Sequence, residues 1–274
     1  LSTSPTSALK IVSGGSSAYS FSTALTANSY FYVAVNSQPT GRYCYLTNAG
    51  TVTQPRVMPD TNVSDIGVTC VGTFTVGGTV SGLGSGKSLT LQNIVLPGPA
   101  LASIPGAIFP ALPNSGVESK TISVNGAFSF SNKVPDQFSG TVSVQTQPVG
   151  QRCTVIPSSY IVAGSNLNTL SVTCVDMPKV TAVVTGNTGT VALTNTTSTG
   201  VEPCSVAAGG GTCVFAPQES GSSYDLEIVN QPISQICTPS LPHSGTLNSD
   251  VTVTVTCITK QFRASGFVTG NTGP

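Results

Sequence analysis

Apolar and polar residues alternate along this chain in short bursts broken by glycine, proline, asparagine and serine. Leu170-Ser171-Val172-Thr173-Cys174 and Val251-Thr252-Val253-Thr254-Val255-Thr256-Cys257 place valine and cysteine on one face and hydroxyls on the other. That is the two-residue period of a half-buried strand. No helical period is sustained, and 29 glycines with 19 prolines punctuate the runs. An all-β fold is expected, with the cysteines facing its core.

The strands recur as a set. Three times a β-like run leads into Gln-Pro, a cysteine follows, and a second cysteine closes Val-Thr-Cys. The copies are Gln38-Pro39 with Cys44 and Cys70, Gln147-Pro148 with Cys153 and Cys174, and Gln231-Pro232 with Cys237 and Cys257. The lead-in strands are 31–35, 141–145 and 224–228, each stopped by a proline that lacks an N–H. Upstream, 121–130 carries Asn125-Gly126 between alternating runs, the signal of a type I′ hairpin. Its counterpart in the first copy is 9–21, around Gly14-Gly15. In the third copy the position is taken by Cys204 and Cys213, which flank a glycine-rich turn and predict a hairpin disulfide. Opening strands precede these hairpins at 74–80 and 180–185, and the first copy has none.

Instead, Val268 to Gly273 repeats Val184 to Gly189 letter for letter. These hexamers lie 84 positions apart, as do Cys153 and Cys237. An opening strand therefore sits at the end of the chain, and tail joined to head makes one ordinary repeat. The organisation expected is an incomplete domain at 1–71, a domain at 72–176, a domain at 177–258, and a strand at 259–274 that completes the N-terminal domain of a neighbour. Phe262, Ala264, Phe267 and Val268 are expected to make its apolar contacts, with a change of facing at Gly266.

The second copy is longer: Cys70 and Cys153 are 83 positions apart, against 63 for Cys174 and Cys237. The excess lies in 93–119, apolar but broken by prolines, and is expected to be neither strand nor membrane helix. Ile94, Leu96, Leu101, Ile108, Phe109 and Leu112 make it a contact loop or a lid over its own domain.

Thr79-Val80-Ser81-Gly82, Asn125-Gly126-Ala127-Phe128, the Gln-Pro-x-Gly-x-x-Cys turns at 38–44 and 147–153, and Val-Thr-Cys together resemble the tandem immunoglobulin-like β-sandwich repeats of bacterial secreted and surface proteins. The resemblance spans essentially the whole chain. Ser234 replaces the turn glycine in the third copy, and with no tryptophan the core of antibody domains does not apply. Such repeats imply fibres, adhesins or stalks and carry no catalytic residues.

Composition narrows the function classes. Charged residues are 7% of the chain, against roughly 25% ordinarily, and ten basic side chains balance ten acidic ones. With no basic field, nucleic acid is not an expected partner; near-zero net charge favours association. Eight cysteines in four pairs imply an oxidising, extracellular or cell-surface location. No apolar run is long enough to cross a membrane as a helix, and no signal peptide is present, so a mature secreted product is expected.

Chemistry is poorly represented. The single histidine, His243, lacks a nucleophile motif around it, and the spacings do not form zinc knuckles. Asp225 and Glu227 read as a solvated edge pair, and Gly82 to Ser88 as a turn rather than a phosphate loop. Tyr30, Phe31, Tyr32, Tyr43 and Tyr45 read chiefly as core. No enzyme activity, metal or cofactor is expected. The sequence points to an extracellular bacterial filament or surface fibre whose copies join head to tail by strand complementation. Its alternatives are an excerpt of a long covalent repeat adhesin and a monomeric module that binds a glycan or a host or environmental surface.

Overall fold

The computed structural model describes residues 18–267 and 269–270. The first cysteine frame contains β1 (Tyr30–Phe31), β2 (Arg42–Thr47), β3 (Arg56–Val57) and β4 (Gly67–Phe74). The second contains β5 (Val76–Ser81), β6 (Leu89–Pro97), the one-turn helix α1 (Pro99–Ala102), β7 (Ala107–Ile108), β8 (Val117–Ile122) and β9 (Gly126–Ser129). It continues through β10 (Val134–Pro135), β11 (Phe138–Thr146), β12 (Gln151–Ile156), β13 (Ser159–Ile161) and β14 (Leu167–Asp176). The third contains β15 (Val180–Thr185), β16 (Val191–Thr197), β17 (Gly200–Val206), β18 (Gly211–Val214), β19 (Ser222–Asn230), β20 (Gln235–Pro239), β21 (Ser244–Leu247) and β22 (Val251–Thr259). The described residues form two compact units, one reaching Pro148 and including Cys153–Cys174, the other comprising Val149–Arg152 and the chain from Val175 onward.

The fold is all-β, with sheets paired into β-sandwiches and four disulfides. In the first unit the sheets β13-β11-β6-β8 and β12-β14-β5-β9 enclose a core of Val76, Leu91, Phe138, Val142, Leu170 and Val172, among others. In the second, β21-β19-β16-β17 and β20-β22-β15-β18 repeat that order strand for strand. Opening and closing strands lie side by side in parallel, β5 on β14 and β15 on β22, which the long stretch of chain between them permits. Even a cross-strand pair is preserved in reverse: Gly140 on β11 faces Tyr160 on β13, and Tyr224 on β19 faces Gly245 on β21.

The frame cysteines sit directly opposite one another on adjacent antiparallel strands, Cys44 on Cys70 and Cys237 on Cys257. Cα separations are 4.0, 3.9 and 3.9 Å for the three frame disulfides. At such narrow pairs the backbone N–H and C=O point away from the partner strand. In β12 they point to the edge of the sheet, where the Gln-Pro glutamine receives them. Gln147 Oε1 accepts from Cys153 N at 2.7 Å, and Gln147 Nε2 donates to the Cys153 carbonyl at 2.9 Å. Gln38 does the same for Cys44, and Gln231 accepts from Cys237 N. The side chain thus ends the ladder that an open edge would extend. Gln147→Ala is expected to cost about 1–2 kcal/mol, measurable as a lower urea midpoint with all disulfides intact.

Three local expectations give way. Asn125-Gly126 does not close a hairpin, because β8 and β9 belong to opposite sheets. Asn125 instead accepts from Leu83 N at 2.9 Å and donates to Leu83 O at 2.8 Å, pinning the chain where it crosses between sheets. Nor is Cys204–Cys213 a hairpin disulfide: β17 pairs with β16 and β18 with β15, so the bridge joins the two sheets, with Cα atoms 6.2 Å apart. The strand expected at 31–35 is confined to Tyr30–Phe31, which pairs with β3 alone.

Candidate assembly site

The two complete sandwiches define what the first copy lacks. On β14 and β22, Val172 and Val255 are each 0% exposed, and Cys174 and Cys257 are buried. A parallel opening strand covers each of these closing strands on the side away from its disulfide partner. The equivalent valine of β4, Val68, is 42% exposed, and Cys70 is exposed beside it. Among the described residues no strand lies along that edge from Gly67 to Val71; β10 pairs only with Thr73 and Phe74.

The first copy carries a counterpart of the aromatic pair that flanks the opening strand in the middle copy. In the middle copy β9 pairs with the outer edge of β5 and contributes Phe128, set edge-on to Phe130 with ring centroids 5.9 Å apart. The first copy has Tyr19 edge-on to Phe21 at 6.0 Å. Phe128 and Phe130 are buried, whereas Phe21 is 38% exposed. Tyr19 Oη donates to the carbonyl of Ile66, next to the start of β4, at 3.2 Å; burial pushes this hydroxyl above the usual tyrosine range. Residues 1–17 lie outside the described residues, and with them most of the expected hairpin at 9–21. The approach to β4 is fixed by Arg56, which donates to the Asp65 carboxylate at 2.8 Å and to Asn48 O at 2.6 Å. The guanidinium holds Asp65 below the ordinary carboxylate range.

At the other end of the chain, residues 260–267 carry no regular secondary structure. Phe262 and Phe267 are 86% and 99% exposed, and Ala264 is exposed as well. Val268 lies outside the described residues. Gly270 has a left-handed φ of 92°, and a Cβ on it would meet nothing within 4 Å.

The apolar insertion is committed elsewhere. Residues 93–97 continue β6 and 117–119 begin β8, so its ends are strands, contrary to expectation, and the excursion proper is 98–116. It packs against the first copy and against its own domain, where Phe109 lies edge-on to Phe138 of β11 at 5.9 Å. β7 pairs with Leu46 and Thr47 of β2, Phe109 stacks at 5.0 Å from Tyr45, and Tyr43 Oη donates to the Pro110 carbonyl. Leu101 is buried in the same core, with Phe109 and Leu112 packed against it, and Ile108 is half-buried. Of the six apolar residues expected to form the contact, Ile94 and Leu96, on the outer face of β6, are the exposed ones. Of the aromatic group, Phe31, Tyr43 and Tyr45 are buried, while Tyr30 and Tyr32 are exposed.

The chemistry-bearing residues stay apart. His243 Nδ1 lies 3.8 Å from Asp225 Oδ1, both partly exposed. Asp225 and Glu227 sit on β19, an inner strand of its sheet rather than an edge. Among the described residues no cluster of three or more histidines, cysteines or acids could hold a metal ion. Asn195, which opens the Asn-x-Thr triplet Asn195-Thr196-Thr197, is buried within β16.

No family model matches the sequence, and no curated protein matches it. Solved structures with a similar arrangement include the streptococcal ancillary pilin, 14% identical over 84% of this chain and 76% of that one, with a TM-score of 0.37. The shaft pilin SpaA of Lactobacillus rhamnosus GG is 9% identical over 70% of this chain and 100% of its own, with a TM-score of 0.32. The Bacillus anthracis TIE protein is 10% identical over 80% of this chain and 47% of its own, with a TM-score of 0.30. At these scores nothing about assembly or binding passes from them to this chain.

Proposed function

We propose that this protein is a structural subunit of an extracellular filament or surface fibre, whose copies join by β-strand complementation. One observation carries the reading. A valine that is 0% exposed in both complete copies is 42% exposed in the first, where, among the described residues, no strand pairs with β4 from Gly67 to Val71 along the edge away from β2. Such an edge is a template for an added strand. The exposed segment from Phe262 has the sequence of an opening strand, including the Val-Thr-Gly that follows β15's first residues. In this reading the chain comprises domains at 1–71, 72–176 and 177–258, with 259–274 donated to a partner. Four disulfides suit an oxidising location outside the cell.

Deletion of residues 261–274 tests the proposal. The shortened chain is expected to remain folded and disulfide-bonded, and to run as a monomer by light scattering under conditions in which the full chain forms filaments. Filaments of undiminished length from the deletion variant would refute it.

A further inference from the structure

Resting on strand complementation as the mode of assembly, the geometry points to one orientation and register for the joint. We infer that residues 262–270 of a second copy lie parallel to β4, with position 268 beside Val68 and position 270 against the carbonyl of Cys70, and that Arg42 closes the seat.

The register occurs twice within the molecule. In the middle copy Val80 pairs with Val172 and Ser81 with Thr173; in the third, Val184 pairs with Val255 and Thr185 with Thr256. Each closing valine lies two positions before its frame cysteine, as Val68 does before Cys70. Each opening strand then ends on a glycine of left-handed φ, 75° at Gly82 and 74° at Gly186. A Cβ on Gly82 would lie 2.0 Å from Cys174 O, and one on Gly186 would lie 2.5 Å from Cys257 O. The tail reads Val268-Thr269-Gly270, and Gly270 is already left-handed. Six positions before the valine, Phe262 stands where Phe74 and the buried Pro178 stand in the other copies. A shift by one residue would turn every side chain to the opposite face, and antiparallel entry would carry the glycine away from the cysteine carbonyl.

Alternation along the strand sends Phe262, Ala264, Gly266 and position 268 inward, as Val180, Ala182 and Val184 are buried on β15. Phe267 falls on the outer face, where its counterpart Val183 is half-buried. No change of facing at Gly266 is needed.

The lock also has an internal precedent. Gln235, two positions before Cys237, donates from Nε2 to Gly186 O and accepts at Oε1 from Thr188 N, both at 2.7 Å. Arg42 holds that place before Cys44. A guanidinium donates and cannot accept, so it serves the carbonyl of position 270 and leaves the N–H of position 272 to water. The intermolecular seat is therefore weaker than the internal one by about one hydrogen bond. Arg42→Gln is expected to slow subunit release about five- to tenfold.

The register is tested in full-length chains carrying Thr69→Cys with Thr269→Cys, and in parallel Thr69→Cys with Phe267→Cys or Asn271→Cys. After mild oxidation, peptide mass spectrometry locates the new bridge. The 69/269 pair is expected to give a ladder of linked subunits that survives dilution and denaturant and collapses on reduction, and the other two pairs little product. A ladder led by 69/267 or 69/271 would overturn the register while leaving strand complementation intact. A 69/269 bridge confined to single chains would overturn the second copy as occupant. Filaments that form without any of these bridges would place the joint elsewhere and overturn the inference, and absence of filaments from the unmodified chain would remove the proposed function beneath it.

Discussion

Phe138→Ala is expected to destabilise the first unit by about 3–5 kcal/mol, the cost of emptying a large buried aromatic site. The reason lies in what the ring touches. Phe138 is fully buried, and its ring lies edge-on to Tyr43 at 5.1 Å and to Phe109 at 5.9 Å. Phe109 in turn lies 5.0 Å from Tyr45. One aromatic cluster therefore joins β2 of the first frame, the insertion and β11 of the second, and the alanine variant leaves Tyr43 and Phe109 facing a void. Amide hydrogen exchange should show residues 42–47 and 138–146 losing protection together. If β2 stayed protected while β11 opened, the two frames would be separate cores and the insertion a passive cover.

This joint was the part of the fold least legible in the sequence. Alternation alone identified β14 and β22, since Val172 and Val255 each need an apolar face whatever surrounds them. The spacing of the cysteines identified which strands repeat. Neither signal indicates where an insertion comes to rest, because Phe109 meets Tyr45 and Phe138 only through three-dimensional packing. Asn125-Gly126 misled for a related reason. Its turn chemistry is local, but the Asn125 amide is engaged by Leu83, 42 residues away, and that contact holds a crossing between sheets. The glutamines carry a readable signal: Gln38, Gln147 and Gln231 all stand six positions before a frame cysteine, the distance at which the side chain caps the cysteine backbone. For the assembly site, the repeated hexamer was legible in letters. That Val68 is uncovered among the described residues follows from the packing alone, since the same Val-Thr-Cys is buried in one copy and bare in another.

The same substitution at two equivalent glycines should separate folding from assembly. Gly186→Val forces a β-branched side chain into left-handed φ and drives its Cβ onto the carbonyl of Cys257, 2.5 Å away. Strain of about 1–3 kcal/mol adds to a backbone clash of similar size, so the third copy is expected to lose about 3 kcal/mol or more, read as a lowered thermal midpoint. Gly270→Val meets nothing within 4 Å in the free chain, and the tail around it can relax, so the subunit should melt within about 0.5 kcal/mol of the parent. Once seated against Cys70 the valine at position 270 incurs the strain and clash that Gly186→Val incurs internally. About 3 kcal/mol there corresponds to roughly a hundredfold weaker association, visible as a rise in the critical concentration for filament growth. Equal melting with unchanged growth would show that position 270 does not approach the cysteine carbonyl of its partner. The contrast isolates the joint because the two glycines share one motif, Val-Thr-Gly-Asn-Thr-Gly, and differ in whether its slot lies within the same sandwich.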